Sequence, residues 1–93
     1  MRNAKEELQE ELEGATIIAA SIRLYGETFT LKAGHSEEEL GKFWEWMDKS
    51  YDGGWGGQNL FGTVWLSEEE GWLERGEYDG SEWWETKKRP ELP

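Results

Sequence analysis

Trp72-Leu73-Glu74-Arg75-Gly76-Glu77-Tyr78-Asp79-Gly80-Ser81-Glu82-Trp83-Trp84-Glu85 is the stretch on which the fold turns. An Asp-Gly pair flanked by strand-like residues is the strongest short-range signal for a two-residue β-hairpin. The spacing predicts paired strands over residues 72–78 and 81–87. Both arms carry carboxylates and large rings, so the hairpin offers an acidic, aromatic surface. Adjacent Trp83 and Trp84 must point to opposite sides of one strand. One belongs to a core; the other needs a cover or a partner, and Trp84 is taken as the partner-facing ring.

Working outward, residues 60–66 read as a strand with Leu60, Val64 and Leu66 on one face. Phe61 and Trp65 occupy the other, so both faces are apolar. The preceding loop, 52–59, has four glycines around Trp55 that permit positive φ. Ser36 opens a helix, and Glu39 three residues later completes a capping box. Leu40, Phe43, Trp44 and Met47 form one apolar stripe along it. Trp46 sits roughly 100–120° off that stripe, at about 100° per residue, and has no evident core berth. Residues 16–24 alternate as a strand. Residues 28–33 do so more clearly, with Phe29, Leu31 and Ala33 inward. Residues 4–13 are strong helix formers closed by Gly14, but Leu8 and Leu12 make only a narrow docking stripe. The order is α-β-β-α-β-β-β. It predicts an α+β fold: an antiparallel sheet of about five strands with one helix packed on a face and an extra N-terminal helix. A single domain spans residues 1–93, with the helix of 1–13 loosely attached and a tail at 88–93.

Composition limits the function. The chain has 93 residues, no cysteine and a 35% hydrophobic fraction, with a mean hydropathy of −0.91. Those values lean toward disorder, but seven tryptophans oppose it. At about 150–250 Å² each and about 25 cal/mol per Å², they can supply on the order of 25–40 kcal/mol gross. Disulfides and thiolate metal sites are excluded. The net charge is −11, and residues 1–86 hold twenty acids against seven bases. Such a surface repels phosphate backbones and anionic membranes and attracts a basic groove. No secretory leader is expected, nor any membrane-spanning run. The expectation is a soluble intracellular protein that binds neither nucleic acid nor membrane directly.

The catalytic options are thin. His35 is the single histidine and precedes the Ser36 cap, where a solvent-facing role suffices. The 53–57 glycines lack the Lys-Ser/Thr of a phosphate loop. Carboxylates at Glu74, Glu77, Asp79, Glu82 and Glu85 raise the option of a small metal-dependent enzyme. However, alternation splits them between two faces. No catalytic residue, metal site or cofactor is expected. Acidic clusters at 6–13, at 37–39 and at Glu68, Glu69 and Glu70 instead suggest a scaffold whose carboxylates imitate phosphates. Uncovered indoles such as Trp46, Trp55 and Trp84 would serve as anchors. Self-association as a homodimer through an aromatic face is a further expectation.

Two blocks, Tyr51–Trp65 and Trp72–Glu85, with the helix of 36–47 in similar position, resemble a group of small tailed-phage and prophage proteins. The likeness covers about Phe29 to Glu85 and includes Glu-Tyr-Asp-Gly-Ser-Glu-Trp-Trp-Glu. No functional residue carries over from it. The resemblance implies a phage or mobile-element accessory protein acting in the bacterial host cytoplasm. By analogy, that suggests an inhibitor of a defence complex, anti-CRISPR or anti-restriction. The expected partner is a host protein or ribonucleoprotein with a basic groove. It would be met by Trp46, Trp55, Glu68, Glu69, Glu70, Glu74, Glu77, Asp79, Glu82 and Trp84. The alternative is an acidic immunity-type protein that neutralises a basic toxin.

Overall fold

A computed structural model describes residues 2–51, 59–67, 70–78 and 81–88. The elements are β1 (Arg2–Asn3), α1 (Ala4–Leu12), β2 (Ala19–Leu24), β3 (Glu27–Leu31), α2 (Glu37–Met47), β4 (Ser50–Tyr51), β5 (Leu60–Trp65), β6 (Trp72–Tyr78) and β7 (Ser81–Lys87). Five strands form one antiparallel sheet in the order β3-β2-β5-β6-β7, and β1 pairs with β4 in a separate two-stranded sheet. The fold is α+β. The hairpin register runs from Trp72↔Lys87 to Tyr78↔Ser81, as a two-residue connection requires. Its turn residues, Asp79 and Gly80, lie outside the described residues.

Strand alternation sorts the sheet into two faces. The inner face carries Ala20, Ile22 and Leu24 from β2, Leu31 from β3, Leu60 and Val64 from β5, Leu73 from β6 and Trp84 from β7, all buried. Phe43 and Met47 of α2 and Leu8 of α1 complete that core at 0% exposure. The capping box on α2 forms as expected: Ser36 Oγ accepts from the Glu39 amide at 3.1 Å, and the Ser36 amide donates to Glu39 Oε1 at 3.2 Å. Ala33, expected inward, lies beyond β3 and is exposed, because the chain turns there through Gly34 at φ 80°. Trp46 does find a berth. It is half-buried, 5.5 Å from Phe29 by ring centroids, with the Lys49 ammonium 4.3 Å over its ring.

The two-leucine stripe understated how α1 is held. Asn3 caps it, accepting from the Glu6 amide at 3.0 Å, and its Nδ2 donates to Asp48 at 2.8 Å. Ala4, Glu7, Leu8 and Leu12 are all buried. Glu7 is the decisive one. Its carboxylate accepts from Arg75 at 3.0 Å and from Tyr51 Oη, and pairs with Arg2 at 2.7 Å. The Arg75 side chain is 1% exposed and also donates to Glu82 at 2.7 Å, to Tyr51 Oη at 3.1 Å and to the Leu60 carbonyl at 3.3 Å. Glu82 in turn accepts the backbone amides of Asn59 and Leu60, each at 3.2 Å. The Arg75 guanidinium lies 5.0 Å from the Trp84 ring centroid and 5.6 Å from that of Tyr51. One cation thus gathers α1, β4, β5, β6 and β7 around itself.

Burying charge is costly unless each ion keeps a partner. Removing the cation while leaving both carboxylates should therefore be severe. Arg75→Met is expected to lose about 3–5 kcal/mol of unfolding free energy in urea titrations. Tyr51 supplies a second check. Burial, then its hydrogen bond to Glu7, pushes the phenol up to about 12, and Arg75 opposes part of that rise. The neutral phenol favours the folded state, so its contribution is complete below pH 10 and is lost as the pH climbs from 10 toward 12. Ultraviolet titration should show one tyrosine ionising late, and Tyr51→Phe should flatten the alkaline fall in stability.

Candidate functional site

The helices cover the inner face of the sheet, and among the described residues no element covers its outer face. Antiparallel sheets tolerate this when the open side is polar, but here it is rich in rings. Phe61 and Trp65 on β5 are 43% and 44% exposed, and Trp83 on β7 is 36% exposed. Half-buried Trp72 on β6 pairs directly with Trp65. Large apolar side chains grouped on one rigid face mark an interaction surface. Arg23 of β2 pairs with Phe61, its guanidinium 6.0 Å from the ring centroid.

Cross-strand pairing sets these groups in rows. Trp65, Trp72 and Lys87 form one; Thr63, Glu74 and Glu85 form the next; Gly76 and Trp83 follow across β6 and β7. The row of carboxylates is therefore bordered by indoles on both sides. Trp72 Nε1 donates to Glu74 Oε1 at 2.9 Å, and Trp83 Nε1 donates to Glu85 Oε1 at 3.0 Å. Lys87 reaches Glu85 at 3.3 Å. Gly76 makes the Trp83 arrangement possible. A Cβ there would stand 2.8 Å from the Glu85 carboxylate and 2.9 Å from Trp83 Nε1. With only hydrogen in the way, the indole edge and its carboxylate lie down on the strand.

The residues expected to meet a partner are scattered by the fold. Glu82 and Trp84 are corrected to interior positions, 3% and 5% exposed. They share the inner face with Arg75, whose charge and ring-stacking plane they satisfy. Trp83, not Trp84, is the outward ring. Trp46 is a half-buried ring on the core edge, with Phe29 and Lys49 against it. Glu74 lies half-buried on the outer face, and Glu77 is exposed on β6. Glu70 is exposed, with its amide bonded to Ser67. Trp55, Glu68, Glu69 and Asp79 lie outside the described residues. Sequence reasoning missed the role of Glu7 and Arg75, although the signal was present. Glu7 falls on the Ala4–Leu8 face of α1, and Arg75 sits two residues from Leu73 in an alternating strand.

The acidic clusters of the helices lie elsewhere. Glu6, Glu10, Glu11 and Glu13 are exposed around α1, as are Glu37, Glu38 and Glu39 on α2. Among these, one ion pair with a base is formed within the described residues, Glu38 to Lys42 at 4.0 Å. Both helices pack on the inner face, so this negative layer and the aromatic face look in opposite directions. One flat partner surface cannot touch both.

Glu74 and Glu82 stand on opposite faces of the sheet, so the carboxylates weighed as a metal cluster are divided. Among the described residues no three His, Asp or Glu side chains converge as a metal site. His35 Nδ1 is engaged with the Lys32 carbonyl at 2.9 Å. No helix among the described residues is long and apolar enough to cross a membrane. In comparisons with protein-family models, curated proteins and solved structures, the chain matches none.

Gly76→Ala tests the aromatic geometry. The added methyl should lift the Trp83–Glu85 pair from the strand. The Trp83 indole N–H resonance should then lose its hydrogen-bonded shift, visible in an amide correlation spectrum with assigned indoles.

Proposed function

We propose that the protein acts by binding another protein, with the outer sheet face as its docking surface. The observation that carries this reading is the grouping of Phe61, Trp65 and Trp83, each more than a third exposed, on one face of a rigid sheet. Aromatic anchors of this kind dominate interface energetics. The net charge of −11 favours a partner with a basic surface. The acidic helical layer faces away from the contact, so its part is to steer encounter through the long-range field rather than to fill a groove. A phage-encoded inhibitor of a bacterial defence complex, working on a host protein or ribonucleoprotein in the host cytoplasm, is the biological form of this reading. It rests on the sequence resemblance and on the charge.

Affinity capture from bacterial cells, followed by mass spectrometry, is the direct test. The wild-type chain should retain a basic protein or ribonucleoprotein, and Phe61→Ser with Trp65→Ser should release it. Each truncated anchor should cost about 2 kcal/mol or more of binding, with little change in stability, since both rings are already exposed. Reversing Glu37, Glu38 and Glu39 to lysine should slow association and leave dissociation almost unchanged. Equal retention by wild type and the double variant would end the reading.

A further inference from the structure

We infer that the Trp72–Glu74 and Trp83–Glu85 pairs on the outer face form a receptor for an arginine side chain of the protein partner, an inference that rests on the docking surface just proposed. The two pairs repeat one motif, Trp-x-Glu, on neighbouring antiparallel strands. In each, the carboxylate two residues on holds the indole N–H, at 2.9 Å for Trp72 and 3.0 Å for Trp83. The antiparallel register inverts one motif relative to the other, so Glu74 and Glu85 stand directly opposite each other with an indole beyond each. Like charges directly opposite across a sheet destabilise it. Among the described residues, Lys87 is the one base paired with either carboxylate, and it reaches Glu85 rather than Glu74. Its side chain and that of Glu85 are 45% and 38% exposed, so a competing cation has access. Glu74 keeps a neutral donor, the Trp72 indole, and no ion pair among the described residues.

Charge complementarity selects the occupant. An anionic ligand meets two carboxylates and is refused. A second copy of this chain, docked face to face about a twofold axis, brings the same carboxylates toward their equivalents. A neutral stacking ligand, such as a sugar ring, leaves the opposed charges unrelieved. A guanidinium answers every feature at once. Its plane stacks on an indole, its fork spans carboxylate oxygens, and it gives up its hydration more readily than an ammonium does. Gly76 lets the Trp83 N–H edge and the Glu85 carboxylate approach the strand closely, so the pair is in place before the ligand arrives.

The probe is a tripeptide, acetyl-Gly-Arg-Gly-amide, titrated into the full chain while the indole N–H resonances are followed. Two controls replace arginine by citrulline, which keeps the shape and removes the charge, and by lysine. Saturable shifts of the Trp72 and Trp83 indoles are expected, with citrulline weaker by about tenfold or more and lysine weaker by a smaller factor. Glu74→Gln should weaken the arginine peptide by about fivefold or more. Glu45→Gln, the same loss of charge on α2, should change it by less than about twofold. Equal binding of arginine and citrulline peptides, shifts confined to other indoles, or no saturation by about 10 mM would overturn the inference. The partner itself separates this idea from the broader one. If capture depends on Phe61 and Trp65 but not on Glu74→Gln with Glu85→Gln, the arginine receptor is wrong and the docking surface stands. If capture is the same with and without Phe61 and Trp65, the docking surface is wrong.

Discussion

Arg75 is the point on which the tertiary structure depends. Its guanidinium is almost wholly withdrawn from solvent and would be untenable there without Glu7, Glu82, Tyr51 and the Leu60 carbonyl around it. Those partners come from α1, β7, β4 and β5, and they are joined in pairs as well, Glu7 to Tyr51 and Glu82 to the Leu60 amide. Apolar packing alone tolerates sliding and rotation. A buried ion with fixed hydrogen-bond directions does not, because each misplaced partner strands a charge in a low-dielectric interior. The same cluster explains how a short, strongly charged N-terminal helix becomes part of the fold. Glu7 is its attachment, and Arg2 and Asn3 secure the end that precedes it.

A second consequence concerns what is left outside. Two carboxylates that composition assigns to the negative surface, Glu7 and Glu82, are used internally to neutralise Arg75. The remaining exposed acids of the helices stay on the far side of the sheet from the bare rings. A chain of this length supports two layers, one of helices and one sheet. With both helices committed to the inner face, the outer face of the sheet has nothing of the described chain to cover it. An apolar, ring-bearing face in that position is where a partner gains most, and the acidic layer behind it adds a field rather than contacts.

Much of the architecture was legible from local patterns. The Asp-Gly pair gave the hairpin, the Ser36–Glu39 box gave the start of α2, and alternation gave the two-faced apolar strand over Leu60–Trp65. Each of these signals lies within a few residues and rests on backbone geometry or side-chain periodicity. The site was read less well. That Trp83 and Trp84 diverge follows from the pleat, but which of them meets the core depends on where Arg75 lies on the adjacent strand. Trp46 looked homeless because its neighbours, Phe29 and Lys49, come from other segments. Glu82 looked like surface because most carboxylates are; its cation sits across a strand pair, and a second acid, Glu7, lies 68 residues from that cation in sequence.

Sequence alone determined the two helices and the five strands of the main sheet in their order, though not the short β1–β4 pair, together with the hairpin register, the absence of any thiol chemistry and a negative charge that restricts the choice of partners. These are properties of composition and of short-range periodicity, and they do not depend on what packs where. The tertiary structure decided which face of the sheet is covered, which tryptophan is outward, and which acids are spent on an interior cation. It also set Trp72, Glu74, Glu85 and Trp83 side by side. Those outcomes arise from pairings between distant segments, where burial of one charge dictates the place of the next, and no local pattern encodes them.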